Sequence, residues 1–404
     1  MLAKIRKEQN HFLAYFIDFR KLVPVNKVGA KILDDFFNRN YSISKIIKKL
    51  GKKNIQKQNV VDFLNSIKED LFSPNQSGYP MINQDFFSIP IAVELQVMTQ
   101  CNLRCKHCCQ DNYDKIMSIE KIKNILKILN DKKIFEISLV GGEILLHPNF
   151  LDIIKLCNKY NFATTIVSNA TLLDESLIKK LKKFKRTSFL ISLEGIDKTN
   201  DEIRGPGVFK KVDKAIKLLK KNNIHVEIST TINSENIKFY KKLIEYSKKL
   251  NIPVNFNLFK PFKYLQKYLI LKPKKYFEFI KDIFNERKRG AKIGITNASI
   301  VAELTGQKKR NECRATVAGL TINTEGYIIP CPFLNLAGFY KNKKFPKFNK
   351  NFVNTWINNK LFKEFRKRGL RECQACSYIF TGNINKKSPY GITSFEKYLK
   401  NKKA

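Results

Sequence analysis

From Ala92 onward, short apolar runs rich in β-branched residues alternate six times with longer segments whose apolar positions recur every three or four residues. The short runs predict strands at 93–99, 134–140, 164–168, 188–193, 226–232 and 254–259, and the longer segments predict helices at 119–130, 149–160, 175–184, 209–221 and 237–250. Strands alternating with helices of this length imply parallel βαβ units, and six in succession imply an α/β barrel or partial barrel. In such a barrel the chemistry belongs at the C-terminal ends of the strands. Residues 1–85 have a different rhythm, with a strand-like stretch at 12–25 and helical patterns at 28–37, 42–50 and 60–71, where Ser42 and Ser44 are candidate N-caps. Two strands and three helices of this size make a small winged-helix-like unit, and the stretch 73–80 reads as a linker. Beyond residue 290 the periodicity fades, and a hairpin is predicted from 318–322 and 327–329. The expected organisation is an N-terminal unit at 1–85, the barrel at 86–290 and a small C-terminal unit at 291–404.

Length and composition agree with this division. A chain of 404 residues exceeds what one core usually holds, about 250–300 residues, and 43% hydrophobic content is that of a globular protein. The net charge of +41 would by itself favour a polyanionic partner. Its lysines, however, are spread over every predicted helix (Lys121, Lys155, Lys180, Lys214, Lys242), so a solvated basic surface is the first reading, a surface for an acidic peptide the second and nucleic acid the last. The apolar run from Phe12 to Phe19 is broken by Asp18 and followed by Arg20 and Lys21, too short and polar for a signal peptide or a membrane span. A cytoplasmic protein with no membrane and no nucleic-acid partner is expected. In that reducing compartment the nine cysteines read as metal ligands or catalytic thiols rather than disulfides.

Directly after the first barrel strand comes Cys101-Asn102-Leu103-Arg104-Cys105-Lys106-His107-Cys108. Three closely spaced thiolates on a loop can hold three corners of a four-iron cluster and leave the fourth iron open. A zinc site would need a fourth ligand, and His107, adjacent to Cys108, is poorly placed to join the same tetrahedron. This triplet resembles the defining motif of the radical S-adenosylmethionine (SAM) superfamily, and the resemblance extends over about residues 88–262. It implies a partial (β/α)6 TIM-like barrel, a catalytic [4Fe-4S] cluster on Cys101, Cys105 and Cys108, and SAM at its open iron. Gly141-Gly142-Glu143 resembles the family's Gly-Gly-Glu motif, in which glycines let the backbone approach the methionine moiety and Glu143 accepts from its ammonium. Ser168-Asn169 matches the position that bonds the ribose hydroxyls. Ser192-Leu193-Glu194-Gly195 and Arg204-Gly205-Pro206-Gly207-Val208-Phe209 are similar to the Ser-x-Asp-Gly and Arg-Gly-x-x-x-Phe patterns of peptide-modifying members, with Glu194 in place of the usual Asp. Arg204 suits the methionine carboxylate, since a guanidinium fork pairs a carboxylate bidentately.

Four further cysteines form Cys313-x17-Cys331-x41-Cys373-x2-Cys376, two on a hairpin and two in a knuckle, able to close one four-ligand site. The pattern resembles the Twitch domain, the shortened form of SPASM, and implies one auxiliary cluster, [4Fe-4S] or [2Fe-2S], with structural zinc left open. The N-terminal unit resembles the PqqD-like domain that binds leader peptides by pairing them with an edge strand; a structural cap and a DNA-binding winged helix remain alternatives. Taken in order, the three segments look like a maturase of ribosomally made peptides, closest to thioether-forming (sactionine) enzymes. Such an enzyme implies a precursor peptide with a leader as partner and flavodoxin or ferredoxin as electron donor. A peptide epimerase, with Cys109 or Cys157 returning a hydrogen, and a small-molecule enzyme acting on a tetrapyrrole are the alternatives. An iron-sulfur DNA-binding regulator ranks below both.

Overall fold

The computed structural model describes residues 2–9, 11–51, 56–72, 86–110, 112–296, 300, 304, 313, 315–368 and 373–401; the expected linker at 73–80 lies outside them. The N-terminal unit opens with three antiparallel strands, β1 (Ala3–Glu8), β2 (His11–Phe16) and β3 (Lys21–Val25), in the spatial order β1-β2-β3. Strand β1 adds one to the two strands expected. Its sequence hides it, because Lys4, Arg6, Lys7 and Glu8 break the apolar pattern. Arg6 and Glu8 are nonetheless buried against the barrel. The Arg6 guanidinium donates to the main-chain oxygens of Ile89 (2.9 Å) and Pro90 (3.0 Å), and the Glu8 carboxylate accepts from the Ser88 N–H. Three helices follow: α1 (Lys27–Leu33), α2 (Ile43–Leu50) and α3 (Lys57–Phe72). Asn26 caps α1, and Ser42 caps α2 by accepting from the Lys45 N–H, whereas Ser44 lies inside the helix. Phe16, Ile32, Leu33, Ile46, Leu64 and Ile67 close a core belonging to this unit.

All six expected barrel strands are present: β4 (Ala92–Gln96), β5 (Glu136–Val140), β6 (Ala163–Ser168), β7 (Thr187–Ser192), β8 (His225–Ile232) and β9 (Val254–Leu258). Each pairs in parallel with its successor. Alternate residues such as Val93, Leu95, Ile137, Leu139, Phe189 and Ile191 pack against the outer helices through Ile122, Ile125, Leu126, Ile153 and Val212. The other face carries Glu94, Gln96, Ser138, Ser229, Thr231 and Asn257, a polar, half-accessible concave side. Period-two alternation with helices on one side therefore separates a dry outer layer from a wet lumen.

Three more strands extend this sheet, giving the order β10-β9-β8-β7-β6-β5-β4-β11-β12. Strand β10 (Ile293–Ile295) lies beside β9, while the hairpin of β11 (Gly319–Ile322) and β12 (Ile328–Ile329) docks on the opposite edge, β11 parallel to β4. The hairpin expected from the sequence is thus also a continuation of the barrel sheet. Gly326, at φ +84°, makes its turn possible. The C-terminal chain stays on the barrel: Phe352, Trp356, Phe362, Tyr390 and Phe395 join the main core, and the Trp356 indole donates to the Phe87 oxygen at 2.7 Å.

Candidate radical SAM site

The cysteine loop begins where β4 ends. Thr99 N–H donates to Lys115 O (2.8 Å) and Met117 N–H to Val97 O (2.7 Å), so the chain leaves the sheet and returns antiparallel to itself, closing a loop that contains Cys101, Cys105 and Cys108. The remainder of the loop is held from distant elements. Lys106 N–H donates to Ile203 O (2.9 Å), the Gln266 amide donates to Lys106 O (3.0 Å) and Cys108 O (2.9 Å), and the Lys263 ammonium donates to Gln110 O (2.9 Å).

Each thiol has its own donors. Cys101 Sγ accepts from Leu103 N–H (3.4 Å) and the Asn169 amide (3.8 Å), Cys105 Sγ from the Arg204 guanidinium (3.7 Å), and Cys108 Sγ from Gln110 N–H (3.4 Å) and the Tyr113 hydroxyl (3.6 Å). Burial pushes the Cys101 and Cys105 thiols up, Cys105 to about 11, and the neighbouring thiol charges add to the rise. Three half-buried sulfurs close in one loop, each supplied with N–H or O–H donors, fit an iron-sulfur cluster. Its iron would supply the missing positive charge, and the donors would tune its potential. Among the described residues no three His, Cys, Asp or Glu groups converge on one point. A cluster does not ask for that, because each cysteine grips a different iron.

The strand ends above this loop carry the other expected residues. Gly141 and Gly142 follow β5 and pass so close to the main chain leaving β4 that a Cβ on Gly142 would lie 2.1 Å from Gln100 O and 2.4 Å from Thr99 O. Gly142 N–H donates to Met98 O (3.1 Å) and Glu143 N–H to Gln100 O (2.7 Å). These glycines thus serve the approach of the cysteine loop itself. The Glu143 carboxylate is buried and accepts from Ser168 Oγ (2.7 Å), Asn169 N–H (2.6 Å) and Leu145 N–H (3.0 Å), tying β5 to β6. Burial pushes it up, and those three hydrogen bonds oppose the rise. Ser192 ends β7 on the concave side, half-buried. Glu194, two residues on, is a hub: it accepts from Arg204 Nη2 (2.6 Å) and Thr231 N–H (2.7 Å), and its Oε1 lies 3.4 Å from His107 Nε2. Burial disfavours the Arg204 guanidinium, but the charge and hydrogen bond of Glu194 together with the charges of Cys105 and Cys108 outweigh it and raise its pKa, while burial pulls His107 down to about 4. Arg204 Nε and His107 Nδ1 are buried without a hydrogen-bond partner.

The C-terminal cysteines also gather. Burial disfavours the Lys260 ammonium, yet the charges of Cys376, Cys373, Cys331 and Cys313 together outweigh it and raise its pKa. Lys260 follows β9, and its Nζ lies 4.8 Å from the ring centroid of Phe333, two residues beyond Cys331. Burial pushes the Cys331 thiol up to about 12, whereas a hydrogen bond from Cys376 and the Lys260 charge hold Cys373 down at about 6. None of the four is in a disulfide. Cys313, Cys331 and Cys373 lie in one apolar cluster, and four thiols whose charges act on one half-buried cation suit an anionic iron-sulfur site. Cys157, in contrast, is fully buried in the helix-sheet core, away from the lumen. Tyr113, Gln266 and Lys260 carried no sequence signal: Tyr113 lies outside the motif, and the other two are far from the cysteines they serve.

Residues 95–246 match the model of the Radical SAM superfamily. Over that stretch the chain is similar to the radical SAM superfamily. Its radical SAM domain is similar to the antilisterial bacteriocin subtilosin biosynthesis protein AlbA of Bacillus subtilis (strain 168), 29% identical over 158 residues, which is 37% of this chain and 35% of AlbA. In that match the chain spans about a third of AlbA's length. A longer match, 23% identical over 354 residues, covers 75% of this chain and 96% of the AdoMet-dependent heme synthase of Methanosarcina barkeri (strain Fusaro / DSM 804). Among solved structures, SuiB of Streptococcus suis bound to the precursor peptide SuiA shares the radical SAM fold, with a TM-score of 0.65 at 18% identity over 90% of this chain and 89% of SuiB. Among the described residues no helix is long and apolar enough to cross a membrane.

Proposed function

We propose that the chain is a radical SAM maturase that abstracts a hydrogen from a ribosomally made precursor peptide and forms a thioether (sactionine) or another crosslink. The observation that carries this reading is a groove of 490 Å³ in the N-terminal unit, between strand β3 and helices α1 and α3, lined by Val23, Val25, Val28, Val60, Phe63 and Ile67. Strand β3 is an edge strand, so a leader segment can add beside it while its apolar side chains enter the groove. Arg6 and Glu8 lock that unit to the barrel, which fixes the distance from leader to site.

In this reading Cys101, Cys105 and Cys108 hold the SAM-binding [4Fe-4S] cluster, and Cys313, Cys331, Cys373 and Cys376 hold an auxiliary iron-sulfur cluster beside Lys260. When bound, the first cluster and SAM supply the 5′-deoxyadenosyl radical, and the protein supplies orientation and exclusion of water. Gly141 and Gly142 bring the loop onto the barrel mouth. Glu143, Ser168 and Asn169 present the β5 and β6 ends to the methionine ammonium and the ribose, and Ser192 and Glu194 present the β7 end. Arg204, with its partnerless Nε, is placed to take a carboxylate while Glu194 and Cys105 fix its direction. Flavodoxin or ferredoxin, acidic one-electron carriers, suit the basic chain as donors, and the cytoplasm is the compartment where such carriers and reduced thiols meet.

The test is the mass of a candidate precursor peptide after anaerobic incubation with reconstituted enzyme, SAM and reductant in deuterated water. Loss of two hydrogens supports a crosslink, whereas gain of one non-exchanging deuteron means epimerisation instead. Cys101→Ala abolishes deoxyadenosine release while Cys373→Ala retains part of it; equal loss refutes the division between the two sites. A small-molecule reaction, for example on a tetrapyrrole, is favoured by the length of the heme-synthase match. Turnover of a porphyrin with an unchanged peptide would select it.

A further inference from the structure

The segment after β9 has two faces. Gln266 and Leu269 point inward, and Gln266 grips the carbonyls of Lys106 and Cys108, whereas Tyr264, Leu265 and Tyr268 on the opposite face are 78%, 83% and 56% exposed. Three large exposed apolar side chains on one turn exceed what a solvated surface calls for and mark an interaction site. The patch adjoins a surface hollow of 690 Å³: Ser234 donates to Tyr268 O (2.7 Å) and Leu269 O (3.0 Å), and its neighbour Glu235 lines the hollow with Lys106. Four lysines (Lys106, Lys198, Lys238, Lys242) and three acids (Asp197, Glu202, Glu235) line it, and Lys263 and Lys267 flank the patch.

We propose that the Tyr264, Leu265 and Tyr268 patch with its flanking lysines is the docking surface for an acidic one-electron carrier protein that reduces the cluster of Cys101, Cys105 and Cys108. The inference rests on the radical SAM reading and adds to it where the electron enters. The Gln266 side chain ties this segment directly to the main chain of the cysteine loop, so a carrier seated here lies against the segment that grips that loop. A precursor peptide, in contrast, has to reach the concave side, whereas Tyr264, Leu265 and Tyr268 are open to solvent. The net charge of +41 steers an acidic carrier, and an apolar centre flanked by Lys263 and Lys267 is the composition of a specific interface. The carrier is oxidised by one electron, the cluster is reduced by one, and no proton moves.

The experiment compares deoxyadenosine release by the fully reconstituted enzyme driven either by reduced flavodoxin or ferredoxin, whichever supports the wild type, or by dithionite, which needs no docking. The variant is Tyr264→Ser/Leu265→Ser/Tyr268→Ser, and all three side chains are exposed enough for the fold to survive. The expected result is a rise of about tenfold or more in the KM for the carrier, the scale of one truncated interface hot spot, with the dithionite-driven rate unchanged. Lys267→Glu raises that KM further, and added salt raises it in the wild type. An unchanged carrier KM overturns the proposal, as does an equal fall with dithionite, loss of precursor-peptide binding in place of carrier binding, or a wild type that neither carrier reduces although dithionite does. A wild type that releases no deoxyadenosine with dithionite refutes the radical SAM reading itself.

Discussion

Gly142→Ala tests how the cysteine loop is seated. The new Cβ would stand 2.1 Å from Gln100 O and 2.4 Å from Thr99 O, where real Cβ atoms essentially never come within 3.0 Å. Both obstacles are main chain, so neither can swing aside as a side chain would. The Gln100 carbonyl must retreat by at least about 0.9 Å, the difference between those distances, and Cys101 is on its other side. Overpacking of this kind costs about 1–3 kcal/mol of stability. A displacement near 1 Å in a positioned reacting group costs about a hundredfold in rate. The assay is anaerobic reconstitution with iron and sulfide counted per chain, followed by deoxyadenosine release with dithionite. The expected variant folds with a lowered Tm, loads less iron at the first site and releases deoxyadenosine about a hundredfold more slowly. Gly141→Ala, whose Cβ would meet Met98 O at 2.6 Å, is expected to show a smaller loss in the same direction. A Gly142→Ala enzyme with full iron content and wild-type rate would show that the close approach does not seat the loop.

Two further outcomes follow from buried charge. Glu194→Ala leaves the Arg204 guanidinium buried without its 2.6 Å partner and is expected to cost about 3–5 kcal/mol in urea unfolding, with Glu194→Gln milder because its amide oxygen can still accept from Thr231 N–H; a cost below about 1 kcal/mol refutes the pairing. Burial, aided by the Arg186 charge, lowers Lys4 from 10.5 to about 7. Between these values the unfolded chain holds a proton that the folded chain has released, so stability rises with pH from about 7 to 10.5, by at most about 1.4 kcal/mol per pH unit. Lys4→Met is expected to flatten that slope in denaturant midpoints measured across the window; an unaltered slope assigns it to other groups.

Local rules made much of this protein legible in its sequence. Six strands, their helices and the Cys101, Cys105, Cys108 loop could be read because period-two and 3.6-residue patterns, and a three-cysteine spacing, are short-range. Ser42 as an N-cap and the turn at Gly326 were legible for the same reason. Strand β1 was not, because Arg6 and Glu8 break its pattern to bond partners 84 and 80 residues away.

Tertiary structure decided everything that depends on which distant segments meet. Only packing brings Gln266 onto the carbonyls of the cysteine loop, sets Arg204 between Glu194 and Cys105, brings Cys313, Cys331 and Cys373 into one cluster and lays β11 beside β4. It also gave Gly142 a reason the motif alone did not state, the passage of Thr99 and Gln100. The sequence by itself determined the elements and the spacing of the thiols, since a residue's propensity and its near neighbours act within a few positions. Which side chain supports which sulfur was decided by the fold, because hydrogen bonds and buried charges form between surfaces whose contact no local pattern encodes.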